Sequence, residues 1–250
     1  MTDETMVVVG DRFEEFLENK GTVPAGVLLE RLRNGDLPPR IQLTVGQGLT
    51  AAQLAELAAL AERGPTIVAI RQGAVPAPAE RRLTHKHDAK NVLIGTVEQT
   101  GAGTFRAPLV LDERVEVLED HLTGQHIPAV TLLEAARQTW TVVTEQFLLT
   151  EDIPTRFVIN SVDSAFHRFV FPLPATLEYR LVSHQRSPVG QTIAFTVEVH
   201  QQGEKAATFN AEIRVIPQLF AAKQEAMAAR QAVRDELTAL ASPELAGVGG

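Results

Sequence analysis

The stretch from Ile127 to Leu148 limits what this chain can become more than any other. It is the longest apolar run, yet its middle carries Glu134, Arg137, Gln138 and Glu145. A single membrane span would not tolerate that many charged and amide groups at its centre, so the run reads as a helix buried in protein. Its neighbours decide what buries it. Upstream, residues 92–97 and 104–111 flank a Thr100-Gly101-Ala102-Gly103 turn and predict a hairpin. Downstream, residues 157–172, 177–185, 192–200 and 206–217 form four strand candidates separated by Pro, Gly or charged turns. Ile193, Phe195, Val197 and Val199 share one face opposite Thr192, Ala194, Thr196 and Glu198. Ala207, Phe209, Ala211, Ile213 and Val215 repeat the alternation past the Gln202-Gly203-Glu204 turn, which predicts antiparallel neighbours. Two strands, a long apolar helix and four more strands pack naturally as an antiparallel sheet curled around the helix. The fold class is α+β.

Residues 1–75 read as a separate small α/β unit, with strands at 6–10, 40–45 and 66–70 and helices over Phe13–Arg33 and Thr50–Arg63. The Val45-Gly46-Gln47-Gly48-Leu49 segment shares its glycines with a phosphate loop, but no Lys-Ser/Thr pair follows and the plain turn reading is favoured. Residues 76–82, rich in Pro and Ala, read as an extended linker to the main domain at 83–217. Residues 218–241, rich in Ala, Glu, Gln and Arg, predict a C-terminal helix, and 242–250 a disordered tail. The curled sheet has open edges, so pairing with a second copy into one continuous sheet is expected, giving a homodimer.

Composition removes several function classes. With no cysteine, disulfides, thiolate nucleophiles and thiolate metal sites are excluded. A net charge of -8 disfavours nucleic-acid partners, which require a positive face. The acidic opening residues lack the pattern of an export signal, so a cytoplasmic protein without membrane partners is expected. His85 and His87 stand two apart as on one side of a strand, but no third ligand accompanies them, and no metal is expected. The cationic run Arg81, Arg82, His85, Lys86, His87 and Lys90 reads chiefly as a solvated face, Lys86 excepted.

The chemistry concentrates between Asp120 and Gln138. His121 stands in a loop before the buried helix. Pro128 falls near the first helical position, where a missing N–H costs nothing, so the amides of Ala129 and Val130 are free to meet an incoming oxygen with the helix dipole behind them. Glu134 follows within two turns, in an apolar helix where a carboxylate must be paired or used. The bland alternatives are a loop histidine and an ordinary i, i+3 pair of Glu134 with Arg137.

The run His121-x-x-Gly124-x-x-x-Pro128-Ala129-Val130-x-x-x-Glu134-Ala135-x-x-Gln138 resembles the active-site segment of the β-hydroxyacyl-carrier-protein dehydratases. With Thr84-His85-Lys86 upstream, His126-x-Pro128 and the ending Glu134-Ala135-Ala136-Arg137-Gln138, it is more similar to the A-factor biosynthesis hot-dog family, which makes γ-butyrolactone signals. The resemblance covers Leu83 to about Pro217 and implies a hot-dog fold. In the dehydratases the histidine removes the α-proton, a helix amide polarises the thioester carbonyl and the carboxylate assists loss of the β-hydroxyl. His121 and Glu134 would inherit those roles, with Gly124, His126, Arg137, Gln138 and Lys86 toward substrate. Leu122 and Thr123 depart from the dehydratases' Phe-Pro after the histidine. The first reading is therefore dehydration of β-hydroxyacyl groups on an acyl carrier protein, with no cofactor beyond the carrier's phosphopantetheine arm. The A-factor family implies instead transfer of a β-ketoacyl group to a small hydroxylated phosphate ester such as glycerone phosphate, which demands a cationic pocket. A third reading is a non-catalytic acyl-binding subunit.

Overall fold

A computed structural model describes residues 4–119, 123–149 and 153–241. At the N-terminal end, β1 (Glu4–Val9), β2 (Thr22–Pro24), β3 (Arg40–Val45) and β4 (Ile67–Ile70) form a parallel sheet in the order β2-β1-β3-β4. It is covered by α1 (Ala25–Asn34) and α2 (Ala51–Arg63). α1 buries Leu28, Leu29 and Leu32 and stops at Gly35, whose φ of 71° is the left-handed cap that glycine adopts without strain. α2 starts with a capping box between Thr50 and Gln53.

The single helix expected over Phe13–Arg33 is not formed. A 3₁₀ turn at Phe16–Glu18, a reversal at Gly21 (φ 90°) and strand β2 precede α1, which begins only after Pro24. The apolar spacing of Phe13 and Phe16 serves a different core: both are buried among hot-dog residues, and β1 gains a parallel partner in β2.

α3 (Arg81–Thr84) and α4 (Glu116–Glu119) are single turns, and α5 (Ala129–Val143) is the long buried helix. Around it lies one six-stranded antiparallel sheet, ordered β5-β6-β8-β9-β10-β7. Its strands are β5 (Glu98–Gly101), β6 (Thr104–Pro108), β7 (Thr155–Phe166), β8 (Ala175–Ser187), β9 (Gly190–Gln201) and β10 (Glu204–Pro217). The α+β hot-dog architecture expected from the sequence is thus the one observed. β9 and β10 pair antiparallel as their alternation predicts, with Ile193 opposite Ile213 and Val197 opposite Phe209. Their inward residues meet α5, where Trp140 packs on Phe195 with ring centroids 5.2 Å apart. Burying each such large side chain stabilises the fold by about 1.5–3 kcal/mol.

The first expected hairpin strand, at 92–97, is not a regular strand. Val92–Ile94 point inward, and the Leu93 amide donates to the Gln138 side chain of α5 at 2.8 Å rather than to a sheet neighbour. α6 (Gln218–Ala241) forms the expected C-terminal helix, while the tail at 242–250 lies outside the described residues. No described helix is long and apolar enough to cross a membrane.

The two sheets are joined through Val45–Leu49. Gln47 is 3% exposed; its side-chain amide donates to the carbonyl of Leu109, and its side-chain oxygen accepts from the Leu111 amide. A Cβ on Gly46 would run into the Pro172 carbonyl, so the glycines of this segment allow close backbone approach.

Candidate active site

Two groups of polar residues lie along α5, one at its N-terminus and one a turn further in. Pro128 is the N-cap (φ −59°, ψ 146°), one position earlier than its expected place inside the first turn. Its carbonyl receives the Thr131 and Leu132 amides at 3.0 and 3.4 Å. The amides of Ala129 and Val130 precede these first intrahelical bonds and carry the positive end of the dipole. Both residues are exposed, Val130 by 52%.

Ala129 borders a cleft of about 340 Å³ whose wall includes His126, Leu132, Phe166, His167, Arg168 and Phe169, while Val130 is not part of its lining. The preceding loop is fixed by Thr123, whose hydroxyl accepts the His126 amide at 3.1 Å and donates to the His126 carbonyl at 3.0 Å. The His126 ring lies against Phe169 at 4.9 Å. Gly124 takes a φ of 77°, open to glycine and strained for most residues. His121, the expected base, lies outside the described residues.

The second group centres on Glu134. One carboxylate oxygen receives Lys86 Nζ at 2.6 Å, Arg137 Nη2 at 3.0 Å and Gln138 Nε2 at 3.1 Å; the other receives Arg137 Nε at 2.7 Å. Arg137 also donates to the Thr84 carbonyl at 2.9 Å. Gln138 is fully buried: besides accepting from Leu93, it donates to the Asn91 carbonyl at 2.8 Å. Burial acts to raise the Glu134 carboxyl pKa, but the hydrogen bonds and charge of Arg137, with the bonds from Lys86 and Gln138, outweigh it and hold the group below its ordinary value. The i, i+3 pair with Arg137 is therefore real, but it belongs to a half-buried network and not to a solvated surface.

The expected site residues thus fall into two sets. Lys86, Glu134, Arg137 and Gln138 are joined in one network around the Glu134 carboxylate. Of the other set only His126 and Ala129 line the cleft, with Gly124 in the preceding loop and Val130 beside Ala129 in the helix's first turn.

His85 and His87 do not share a strand. His85 ends α3 in the left-handed region (φ 55°), and its Nε2 lies 2.9 Å from Glu145 Oε1. No group of three or more His, Asp or Glu that could hold a metal occurs among the described residues. Lys90, in the same cationic run, pairs with Glu119 at 3.3 Å. Sequence reasoning missed a second cavity, of about 410 Å³, lined by His85, Arg137, Trp140, Thr141, Arg156 and Phe157 among others. Arg156 and Phe157 belong to β7, and only the folded register of that strand brings them beside α5.

The A-factor biosynthesis hotdog domain matches residues 69–217, more than half of the chain. The chain belongs to the A-factor biosynthesis hotdog family. No curated protein matches it in sequence. Among solved structures, a mutant thioesterase from Pseudomonas aeruginosa is similar at 14% identity and a TM-score of 0.41, over 56% of this chain and 95% of that one. A putative thioesterase from Shewanella oneidensis is similar at 13% identity and a TM-score of 0.39, over 55% and 87%. The PaaI protein of the E. coli phenylacetic acid degradation operon is similar at 16% identity and a TM-score of 0.36, over 47% and 80%. These likenesses are too weak to bear on activity. The matched family segment holds both groups along α5, whereas most of the N-terminal sheet lies outside it.

Proposed function

We propose that this A-factor-family protein transfers an acyl group from a carrier-bound thioester to a small hydroxylated acceptor, with the carbonyl at the N-terminus of α5. One observation favours transfer over dehydration. Elimination in the resembling dehydratases uses the helix carboxylate to assist loss of the β-hydroxyl, and Glu134 is held ionised by Arg137 and Lys86. A carboxylate so paired is a poor proton donor. Acyl transfer makes no such demand. The acceptor oxygen attacks the carbonyl carbon, the developing oxyanion takes the Ala129 and Val130 amides, and the C–S bond breaks to release the carrier thiol, which recovers the acceptor's proton. A base role for His121, which lies outside the described residues, is carried over from the resemblance to the dehydratases.

Among the described residues, the one cation in the cleft wall that a phosphorylated acceptor could meet is Arg168, exposed and paired with Glu204 at 3.1 Å, beside the positive helix end. Arg137, in the second cavity, is eight residues further along α5, roughly 12 Å at the helical rise. That span is too long for a three-carbon acceptor to bridge, and Arg137 is already committed to Glu134, Thr84 and Thr141. In this reading Glu134 orients Lys86 and Arg137 and takes no proton.

The test is incubation with β-ketoacyl and, separately, β-hydroxyacyl carrier protein in the presence of glycerone phosphate, followed by mass spectrometry. A phosphorylated ester from the β-ketoacyl donor is expected. Loss of one water from the β-hydroxyacyl carrier, with no ester formed, would reverse the assignment in favour of dehydration. No change in either mixture would leave the non-catalytic reading.

A further inference from the structure

The segment Gly10–Glu18 belongs to the N-terminal unit and lies outside the family match, yet it grips the approach to the α5 cleft from two sides. On the upstream side, the Arg12 amide donates to Glu113 Oε2 at 2.9 Å, its Nη1 to the Glu113 carbonyl at 3.0 Å and its Nη2 to the Glu119 carbonyl at 3.4 Å. On the downstream side, the Phe16 amide donates to the Gly124 carbonyl at 3.0 Å, and Gln125 Nε2 donates to the Glu15 carbonyl at 3.3 Å. The Phe16 ring is stacked on Phe171 at 6.1 Å, next to Val170, whose carbonyl receives the Ile127 amide just before the helix cap. Gly124 faces the Glu15 side chain so closely that a Cβ would lie 3.2 Å from it. The described flanks of the loop, at 113–119 and 124–125, and Phe171, one residue beyond the cleft's Val170, are thus tied to a single short stretch anchored by Phe13 and Phe16 in the main core.

We propose that Gly10–Glu18 is a positioning element for the α5 cleft, with Arg12 as its principal positioning residue, and that this is what the N-terminal unit contributes to the site. Packing alone would need only Phe13 and Phe16. The Arg12 guanidinium, in contrast, reaches two carbonyls six residues apart, which fixes the course of the chain between them and adds little apolar burial. The inference rests on the cleft being the acyl-transfer site.

The experiment uses the full chain and compares Arg12→Ala, Arg12→Lys, Gly124→Ala and, as a control on the outer face of α1, Arg33→Ala. Hydrogen exchange followed by mass spectrometry reads peptides 113–119 and 123–127 against the rest of the chain, and steady-state kinetics reads kcat and KM separately. Arg12→Ala is expected to speed exchange in those peptides about 10-fold, the scale of one or two lost hydrogen bonds. It should lower kcat by a similar factor with little change in KM, at a thermal midpoint lowered by no more than the few degrees that the loss of those bonds produces. Arg12→Lys should recover part of both effects, Gly124→Ala should reproduce them, and Arg33→Ala should leave them alone. Unchanged exchange in the two peptides, faster exchange spread evenly over the chain, or faster local exchange with unaltered kcat would each overturn the proposal. If the wild type transfers no acyl group, the transfer reading falls by itself, and the exchange pattern still decides whether Arg12 holds the loop.

Discussion

The first turn of α5 and the turn that carries Glu134 belong to one helix but treat their polar groups in opposite ways. At Ala129 and Val130 the donors are backbone amides, exposed and ahead of the first intrahelical bond. At Glu134 both carboxylate oxygens are occupied, by two cations and an amide. An expected acid in an apolar helix thus turns out to be saturated, while the capacity to bind something new lies where no side chain advertises it. A charged residue whose bonds are all made is therefore a poorer pointer to where a ligand could bind than donors left open.

The sharpest way to break this contrast is Ala129→Pro. Position 129 is N1, where proline is favoured, and the preceding Pro128 already has the extended ψ of 146° that a following proline requires. The substitution therefore deletes one amide donor with little effect on folding. If that amide stabilises the oxyanion, kcat falls about 10²–10³-fold while the unfolding free energy stays within about 0.5 kcal/mol of wild type. Normal turnover would show that the carbonyl binds elsewhere.

The opposite result is expected at Glu134. Glu134→Ala strands Lys86 and Arg137, whose side chains are each 25% exposed, and should destabilise the fold by about 3 kcal/mol in urea denaturation. Glu134→Gln keeps a hydrogen-bond acceptor, should be milder and should retain turnover, because the carboxylate passes no proton. The pH dependence follows from the sign of its shift. A folded-state pKa below the unfolded one gives stability that is complete above the unfolded carboxylate value and is lost as pH falls through the folded value. Wild type should therefore weaken in acid more steeply than Glu134→Gln. Equal slopes would mean that the network does not hold the carboxyl ionised.

What the sequence disclosed and what it hid divide along range. The alternation in β9 and β10, the apolar run of α5 and the helix at 218–241 are local periodicities, and each was legible. The break within Phe13–Arg33 was not, because Phe13 and Phe16 keep helical spacing while packing into a core built from residues beyond 90. The partners of Glu134 were half legible. Arg137 and Gln138 lie within a turn, and the family resemblance singled out Lys86, but the 2.6 Å contact that unites them spans 48 residues and exists only once α3 docks on α5. Arg12 gave no signal, since nothing in its neighbourhood shows that the chain will return beside it a hundred residues later.

The smallest effect tests the same principle inside the core. Tyr179, the chain's one tyrosine, is 1% exposed and packs between Phe105 and Phe195, with no hydrogen-bond partner for its hydroxyl among the described residues. Gln138 is equally buried and fully bonded. If satisfaction rather than polarity decides the cost of burial, Tyr179→Phe stabilises the protein by about 1 kcal/mol, read as a higher urea midpoint at unchanged slope. Burial also pushes the phenol pKa up, so stability is complete below the ordinary tyrosine value and is lost as pH rises through the unfolded value toward the higher folded one. Tyrosinate absorbance should therefore appear together with alkaline unfolding and not before it, and Tyr179→Phe should resist alkali better than wild type. A destabilised Tyr179→Phe would instead mean that the hydroxyl has a partner, such as a buried water, and that the core around α5 is as fully bonded as the network at Glu134.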